Sequence, residues 1–287
     1  MPDNLTSNVI SGIIANFLTA VLFFILTWTV YLFFIIRERK RLLRFLGVNH
    51  KFPNLKILLS RVEVKPGGTI PVEGETIHHG YVGPAISKPE YDAALILYRR
   101  INPRWLASIP NRVRDLLSRR YISLIRLEPM IDVSPKNIDE IPKRTNLILV
   151  GSSVYNGATK LYLDQSKESF EFSSKDKLSE GGKFERVIKL RKYGMEGVEI
   201  PGRSRKRELG IIQRVSNKED GNTVLISAGL GAEATFGCTK YLAENMADLE
   251  SKYRQKEFGI CLAFEKQGDD IINSSPPRVI EEIIFDS

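Results

Sequence analysis

The segment VISGIIANFLTAVLFFILTWTVYLFFII, residues 9 to 36, contains no charged side chain and is followed at once by RERKRLLR. An uncharged apolar run of roughly 18 residues or more is typical of a membrane-spanning helix, because a helix satisfies its own backbone hydrogen bonds in lipid. At a rise of about 1.5 Å per residue the run reaches roughly 42 Å, which allows a tilted span. The segment therefore predicts a transmembrane helix that follows a short tail, residues 1–8, and tethers the rest of the chain.

A secretory signal peptide is the competing interpretation of this segment. Such a peptide has a basic first part, an apolar core of roughly 7–15 residues and small residues at its cleavage site. Here Asp3 is the one charged residue of the tail, the apolar run is too long, and arginines follow it. These features favour an anchor that is retained in the membrane.

Basic residues flank the segment on its C-terminal side only. The tail has none, whereas Arg37, Arg39, Lys40, Arg41 and Arg44 follow the run. The positive-inside rule then predicts a single-pass protein of the cell inner membrane, with its N-terminus outside and its C-terminal domain in the cytoplasm. The five basic residues, within a juxtamembrane helix over 37–50, are expected to contact anionic lipid headgroups.

Small and polar residues lie one helical turn apart in the first half of the segment. They are Ser11, Gly12, Ala15, Asn16, Thr19 and Ala20. Small side chains let membrane helices approach closely, and Asn16 can hydrogen-bond across such a contact. The pattern is compatible with a homo-oligomeric bundle, including a pore, and also with an ordinary single anchor.

The composition of the chain is that of a folded domain with reduced thiols behind the anchor. Apolar residues make up 43% of the chain, enough for a core. The net charge is +8, and residues 37–44, with five basic residues and one acidic residue, contribute half of it. The remainder is only mildly basic, which argues against binding of duplex nucleic acid. Cys238 and Cys261 have no C-x-x-C partner, as expected of core thiols in the cytoplasm.

The order of elements over residues 51–287 predicts an α/β domain. NLILVG, residues 146–151, reads as a buried strand, and residues 222–264 give a strand, a glycine turn, a long helix and another strand. This alternation is typical of a Rossmann-like mixed sheet. Further strands are expected over 55–64, 121–127 and 278–285, and further helices over 89–101 and 103–119. Residues 168–215 read as a β-rich insertion with FEF, FERVIKL and ELGIIQRV as its strands.

Two glycine-rich strand-to-helix turns form the candidate ligand site. Open α/β sheets bind ligands beyond the carboxyl ends of their strands, where helix N-termini offer N–H groups to anions. The first turn supplies Gly151, Ser152, Ser153, Tyr155 and Asn156, and the second supplies Gly229, Leu230, Gly231, Ala232 and Thr235. If their strands are neighbours, both turns face one crevice. The alternative is that small residues merely close tight turns and cap helices.

The second turn also matches the dinucleotide fingerprint G-x-G-x-x-A. That fingerprint needs an acidic residue about 20 positions later, at the end of the next strand. Here this offset falls inside the expected helix, at Asp248 and Glu250, so a nicotinamide-dependent dehydrogenase is not predicted. Glu233, at the helix start, is the one carboxylate that we nominate as a catalytic acid or base. Its simpler role is to stabilise the helix N-terminus.

Two other motifs have simple explanations. Arg203 and Arg205, in the loop GRSRKR, are able to contact phosphates in bidentate fashion, yet a solvated turn or a membrane contact explains them equally well. His78 and His79 point in opposite directions on an extended chain, and no H-x-x-x-H motif accompanies them. No metal site is therefore predicted.

The layout of an N-terminal span, a basic collar and a Rossmann-like domain resembles the membrane-anchored effectors of prokaryotic antiviral systems. The nearest parallel is the single-span effector of type III CRISPR systems, with a CRISPR-associated Rossmann fold. That resemblance implies a cyclic oligoadenylate ligand. The β-rich insertion departs from that family. The strings GSSVYN and SAGLGAEAT are also similar to a bacterial membrane-protein family without an assigned function.

Three functions remain open on the sequence. The first is a membrane-tethered sensor in which a nucleotide-like ligand at the two turns changes helix packing in the bilayer, with no other cofactor. The second is a membrane-anchored enzyme that acts on a nucleotide or nucleoside, with Glu233 or Ser152 and Ser153 in its chemistry. The third is a scaffold that recruits a cytosolic partner to the membrane.

Overall fold

The chain forms two compact units, Met1–Arg41 and Leu42–Ser287. The computed structural model describes residues 3–49, 51–64, 69–72, 75–78, 83–103, 129–135, 140–141, 143–166, 168–178, 184–192, 197–200, 207–216, 221–267, 270–271 and 276–285. The helix expected over 103–119, the strand expected over 121–127 and the basic loop with Arg203 and Arg205 lie outside these residues.

The first unit is formed by helix α1, which extends over Asp3–Phe45 and ends in the second unit. From Ile13 onward it is long and apolar enough to cross a membrane, and no other helix among the described residues is. Its large apolar side chains between Ile13 and Phe34 are exposed, except that of Leu32, which is half-buried. The Thr19 hydroxyl donates to the Ala15 carbonyl over 2.8 Å, so the helix itself satisfies this polar group.

The last turn of α1 belongs to the core of the second unit. Leu43 and Phe45 are buried there, and so are Leu46 and Val48 just beyond the helix. Gly47 ends the helix with a positive φ of 72°, and a Cβ at this position would overlap the Thr223 side chain. The compact α/β unit therefore begins at Leu42, earlier than the boundary at residue 51 expected from the sequence.

Within the described residues, the second unit contains three helices and fifteen strands. The helices are α2 (Lys88–Ile101), α3 (Gly157–Gln165) and α4 (Ala232–Tyr253). The first strands are β1 (Leu55–Leu59), β2 (Val62–Val64), β3 (Thr69–Val72), β4 (Glu75–His78), β5 (Gly83–Ala85), β6 (Met130–Val133) and β7 (Asn146–Val150). The others are β8 (Ser169–Leu178), β9 (Phe184–Arg191), β10 (Val198–Glu199), β11 (Arg207–Ser216), β12 (Thr223–Gly229), β13 (Phe258–Gln267), β14 (Asp270–Ile271) and β15 (Arg278–Ile284).

The main sheet is mixed, with strand order β14-β13-β11-β12-β7-β1-β6 and β15 also paired with β13. Strands β6, β1, β7 and β12 run parallel. Strands β11, β13 and β15 extend the sheet in antiparallel fashion. Because Val150 pairs with both Leu59 and Ser227, β1, β7 and β12 end together, at what we call the carboxyl edge. The opposite edge, where these strands begin, is the amino edge.

Only part of the expected insertion forms a separate sheet. Strands β8, β9 and β10 pair with one another in antiparallel fashion, apart from the main sheet. Strand β11, in contrast, lies inside the main sheet between β12 and β13. Its residues 208–215 are all buried, as expected of a central strand covered on both faces.

Different elements cover the two faces of the main sheet. Helices α2 and α4 cover one face. On this face, a Cβ added at Gly151 would lie against Glu90 of α2, and a Cβ added at Gly229 would lie against Ala234 of α4. Helix α3 and the β8–β10 sheet cover the other face, where Leu163 and Phe170 share a core with the strands. The connection after β7 therefore leaves toward one face, and the connections after β1 and β12 leave toward the other.

Candidate functional site

The carboxyl edge at β7 is a topological switch point. Strands β1 and β12 are the two parallel neighbours of β7. The connections that follow them cross one face of the sheet, and the connection that follows β7 crosses the other. In open α/β sheets a crevice opens at such a point, and ligands bind there. The two glycine turns can face one crevice only if β7 and β12 are neighbours, and these two strands are paired in parallel.

The turn after β7 is held by its backbone. The Gly151 N–H donates to the Ser227 carbonyl of β12 over 3.0 Å, and Gly151 has a φ of 119°, which favours glycine. The Ser152 carbonyl accepts the N–H groups of Tyr155 and Asn156 at 3.1 and 2.9 Å. The first of these bonds holds the turn against the end of β12, and the other two close the turn on itself.

Asn156 is a structural residue of this turn. Its Nδ2 donates to the Leu58 and Val150 carbonyls, at 3.3 and 3.2 Å, and so ties β1 to β7. Its Oδ1 accepts the Thr159 N–H at 3.2 Å and caps α3. The side chain is fully buried, so its hydrogen-bonding groups are already used within the protein rather than offered to a ligand.

Thr235 has the same kind of role in the second turn. Its Oγ1 accepts the Gly229 N–H at 2.9 Å and donates to the Gly231 carbonyl at 3.0 Å. A Cβ at Gly229 would overlap the backbone of Ala234 and Thr235. Glycine at 229 therefore lets α4 approach β12 closely, and Thr235 closes the turn.

The start of α4 remains open. Gly231 occupies the N-cap position with no side-chain hydrogen bond to the helix, and a Cβ there would contact nothing within 4 Å. Ala232 is exposed and Glu233 is half-buried, whereas Leu230 packs into the core. A long helix with an uncapped N-terminus presents free N–H groups and a positive dipole end, the usual backbone site for an anion.

Ser60 and Glu90, which the sequence analysis did not single out, form a buried polar pair beside Gly151. The Ser60 hydroxyl donates to Glu90 Oε1 at 3.0 Å, and the Ser60 N–H donates to Oε2 at 3.3 Å. Ser87 and Glu90 match the S-x-x-E capping box, and Ser87 does accept the Glu90 N–H at 3.3 Å. The carboxylate, however, turns away from the cap to hold the end of β1.

Burial raises the pKa of the Glu90 carboxyl, and the hydrogen bonds from Ser60 oppose part of that rise. The folded protein then holds this proton more tightly than the unfolded chain. The protonated Glu90 carboxyl therefore contributes to the stability of the fold at pH values below the pKa of a glutamate in the unfolded chain. This contribution is lost as the pH rises through the higher pKa that Glu90 has in the folded protein. Glu90→Gln is expected to raise the melting temperature at pH 7.5 more than at pH 4. An equal change at both pH values in thermal melts would contradict this assignment.

Tyr155 and Arg186 place a ring and a cation beside the first turn. Arg186, on β9, donates from Nη2 to the Tyr155 hydroxyl over 3.0 Å, and its Cζ lies 5.3 Å from the ring centroid. Tyr155 is exposed. The β8–β10 sheet thus contributes a guanidinium to the carboxyl edge. No local signal distinguishes Arg186 from other surface arginines in the sequence.

Among the residues that the structure describes, no group of three His, Cys, Asp or Glu side chains is arranged to hold a metal ion. The candidate site instead comprises backbone N–H groups, the half-buried Ser153 and the Tyr155–Arg186 pair, whereas Ser152 is buried at the base of the turn. Comparison of the chain with protein-family models, with curated proteins and with solved structures finds no match.

Proposed function

We propose that the protein is a single-pass, membrane-anchored sensor that binds a nucleotide-like anionic ligand at the carboxyl edge of a Rossmann-like domain. The observation that carries this proposal is the switch point at β7. There, two neighbouring glycine turns meet beside the uncapped N-terminus of α4. A ligand phosphate bound to the first N–H groups of α4 is the simplest occupant.

The remaining ligand contacts come from the first turn and from β9. Ser153 carries a half-buried hydroxyl at the turn, Tyr155 carries an exposed ring, and Arg186 carries a guanidinium, while the Ser152 hydroxyl is buried. Base rings stack on aromatic and guanidinium planes, and guanidinium groups bind phosphate. A nucleotide or a cyclic oligonucleotide combines both kinds of group. Asn156 and Thr235 hold the two turns in place through their hydrogen bonds to the backbone.

Helix α1 supplies the proposed anchor. Its apolar side chains are exposed over a length sufficient for a bilayer. The basic residues after the span favour the cytoplasmic side for the α/β unit, at the inner membrane. The small residues around Asn16 then provide a face for homo-oligomer contacts in the membrane.

Helix α4 offers a path from the site to the end of α1. It begins at Ala232 on the carboxyl edge and ends at Tyr253, whose ring stacks on Phe258 with centroids 4.1 Å apart. Phe258 in turn stacks on Phe45 at 6.1 Å, and Arg44 pairs with Glu250 at 3.5 Å. If α4 can occupy two positions, a ligand that binds more tightly to one of them favours that position. Through these contacts the change would reach the last turn of α1.

Gly231→Asp tests the anion site without damage to the fold. A carboxylate at the N-cap occupies the N–H groups and favours the helix, so the melting temperature is expected to stay level or rise slightly. Binding of ATP or cyclic oligoadenylate, measured by calorimetry on the full-length protein in detergent, is expected to fall at least 100-fold, because the carboxylate also repels phosphate.

Gly231→Ala is the matched control, since a methyl group there meets no other atom. It should retain binding within a few-fold of the original protein. The sensor proposal fails if no nucleotide or cyclic oligonucleotide binds the original protein better than about millimolar, the weak end of specific affinity.

A membrane-anchored enzyme is the second candidate. Glu233 is a half-buried carboxylate in the first turn of α4, directly beside the proposed phosphate position. Turnover of ATP or of a nucleoside by the purified protein, abolished in Glu233→Gln, would indicate this function. Ligand binding without turnover would indicate the sensor.

A further inference from the structure

The amino edge of the main sheet carries a cluster of exposed basic side chains. Strands β1 and β7 begin at this edge, helices α2 and α4 end there, and Phe45 at the end of α1 stacks there on Phe258. The cluster, which we call the basic edge, comprises Lys51, Arg99, Arg100, Lys143, Arg144, Arg254 and Lys256. Among the ion pairs formed between described residues, none includes a member of this set.

Local effects explain only part of the basic edge. Arg99 and Arg100 lie in the last turn of α2, where positive charge stabilises the helix dipole. Arg254 and Lys256 follow the C-terminus of α4, where the same effect operates. Lys51 and Lys143 instead precede β1 and β7, and neither lies at the end of a helix. The residues come from four separate stretches of the sequence, so their clustering is a property of the fold.

Two members of the basic edge are held in a backbone conformation that favours glycine. Arg144 has a φ of 54° and Arg254 a φ of 53°, and the part of the chain that the structure describes contains no other non-glycine residue with positive φ. Arginine pays a steric cost in this region that glycine does not. The presence of arginine at both positions therefore indicates that the two side chains have a role other than stabilising the fold.

We infer that the basic edge docks on the anionic lipid surface of the membrane that holds the anchor. This inference rests on the proposed membrane anchoring. Residue 36 closes the apolar run and Leu42 opens the α/β unit, so the linking chain reaches at most roughly 20 Å however it is arranged. Anionic headgroups attract basic residues that lie within a Debye length of roughly 8–10 Å. Docking of the amino edge leaves the carboxyl edge, with the candidate site, facing the cytoplasm.

Hydrogen exchange of the full-length protein in nanodiscs tests this docking. Amides at 143–145 and 254–257 are expected to exchange more slowly in discs that contain phosphatidylglycerol than in discs of phosphatidylcholine alone. Each charge near an anionic surface changes the docked population roughly fivefold. The double variant Arg144→Gly, Arg254→Gly should therefore weaken docking roughly 25-fold and abolish most of the difference between the two discs.

The same variant should be more stable, because glycine relieves the strained backbone. Its melting temperature is expected to rise by roughly 2–4 °C per site. A variant that is more stable but no longer protected by anionic lipid would show that Arg144 and Arg254 act in docking and not in stabilising the fold. The control, Lys88→Gln with Arg207→Gln, removes two exposed charges at the carboxyl edge and should leave the lipid-dependent protection unchanged.

Equal exchange in both kinds of disc, with the protein inserted, would overturn the docking inference and leave the anchor intact. The inference would also be overturned if these amides exchanged more slowly only after RNA was added to neutral discs. That result would indicate that the basic edge binds nucleic acid. Failure of the protein to insert into either disc would overturn the anchor, and the docking inference with it.

Discussion

A fragment that begins at Lys51 is expected to fail to fold, whereas a fragment that begins at Leu42 is expected to fold. The residues between these two starts fill part of the core. Leu43, Phe45, Leu46 and Val48 are all buried. Burial of such side chains contributes roughly 1.5–3 kcal/mol each, so their joint loss approaches the total stability of a typical domain, about 5–15 kcal/mol.

Circular dichroism and thermal melts of the two purified fragments measure this difference. A single substitution gives the same test in the full-length protein. Phe45→Ala removes the ring that stacks on Phe258 and lies under the Arg214 guanidinium, 5.8 Å away, and should cost about 3–5 kcal/mol. Phe34→Ala, at an exposed position of α1, is the control and should leave unfolding of the α/β unit unchanged. Indistinguishable melts of the two fragments would show that the compact unit begins after residue 50.

Asn156→Ala is expected to cost about 3–5 kcal/mol, although the change removes only one small side chain. It leaves the Leu58 and Val150 carbonyls without their amide donor and removes the N-cap of α3. A buried polar group without a partner costs about 1–3 kcal/mol, and a lost cap about 1 kcal/mol. Chemical denaturation of the full-length protein in detergent measures the loss.

Asn245→Ala is the matched control for this substitution. Asn245 also donates from Nδ2 to a carbonyl, that of Tyr241 at 2.8 Å, but on a partly exposed helix face. Its removal should change stability by no more than about 0.5 kcal/mol. Equal costs for the two alanine variants would mean that Asn156 does not join β1 to β7, and its side chain would then be open to a ligand role.

Elements with strong local signals were predictable from the sequence. NLILVG forms β7, and the pattern of strand, glycine turn and helix over residues 222–253 forms β12 and α4. Short apolar runs that end in glycine fix such elements without help from distant residues. The two candidate turns followed from the same signals, because each turn directly follows its strand.

Features that depend on pairing between distant residues were not predictable. Glu90 holds Ser60 across 30 positions, and strand order alone places β11 in the main sheet. The burial of Phe45 shows the same limit. The charges around it in RERKRLLRFLGV predicted a juxtamembrane helix at the lipid headgroups, although the apolar residues at its end are typical of a core-facing turn.

Native mass spectrometry of the full-length protein, purified gently in detergent from its host, tests the central claim most directly. We expect an oligomer that holds a small anion of nucleotide mass, and we expect this anion in the original protein and in Gly231→Ala but not in Gly231→Asp. A protein that binds no such molecule, and takes up none when nucleotides or cyclic oligonucleotides are added, would contradict it.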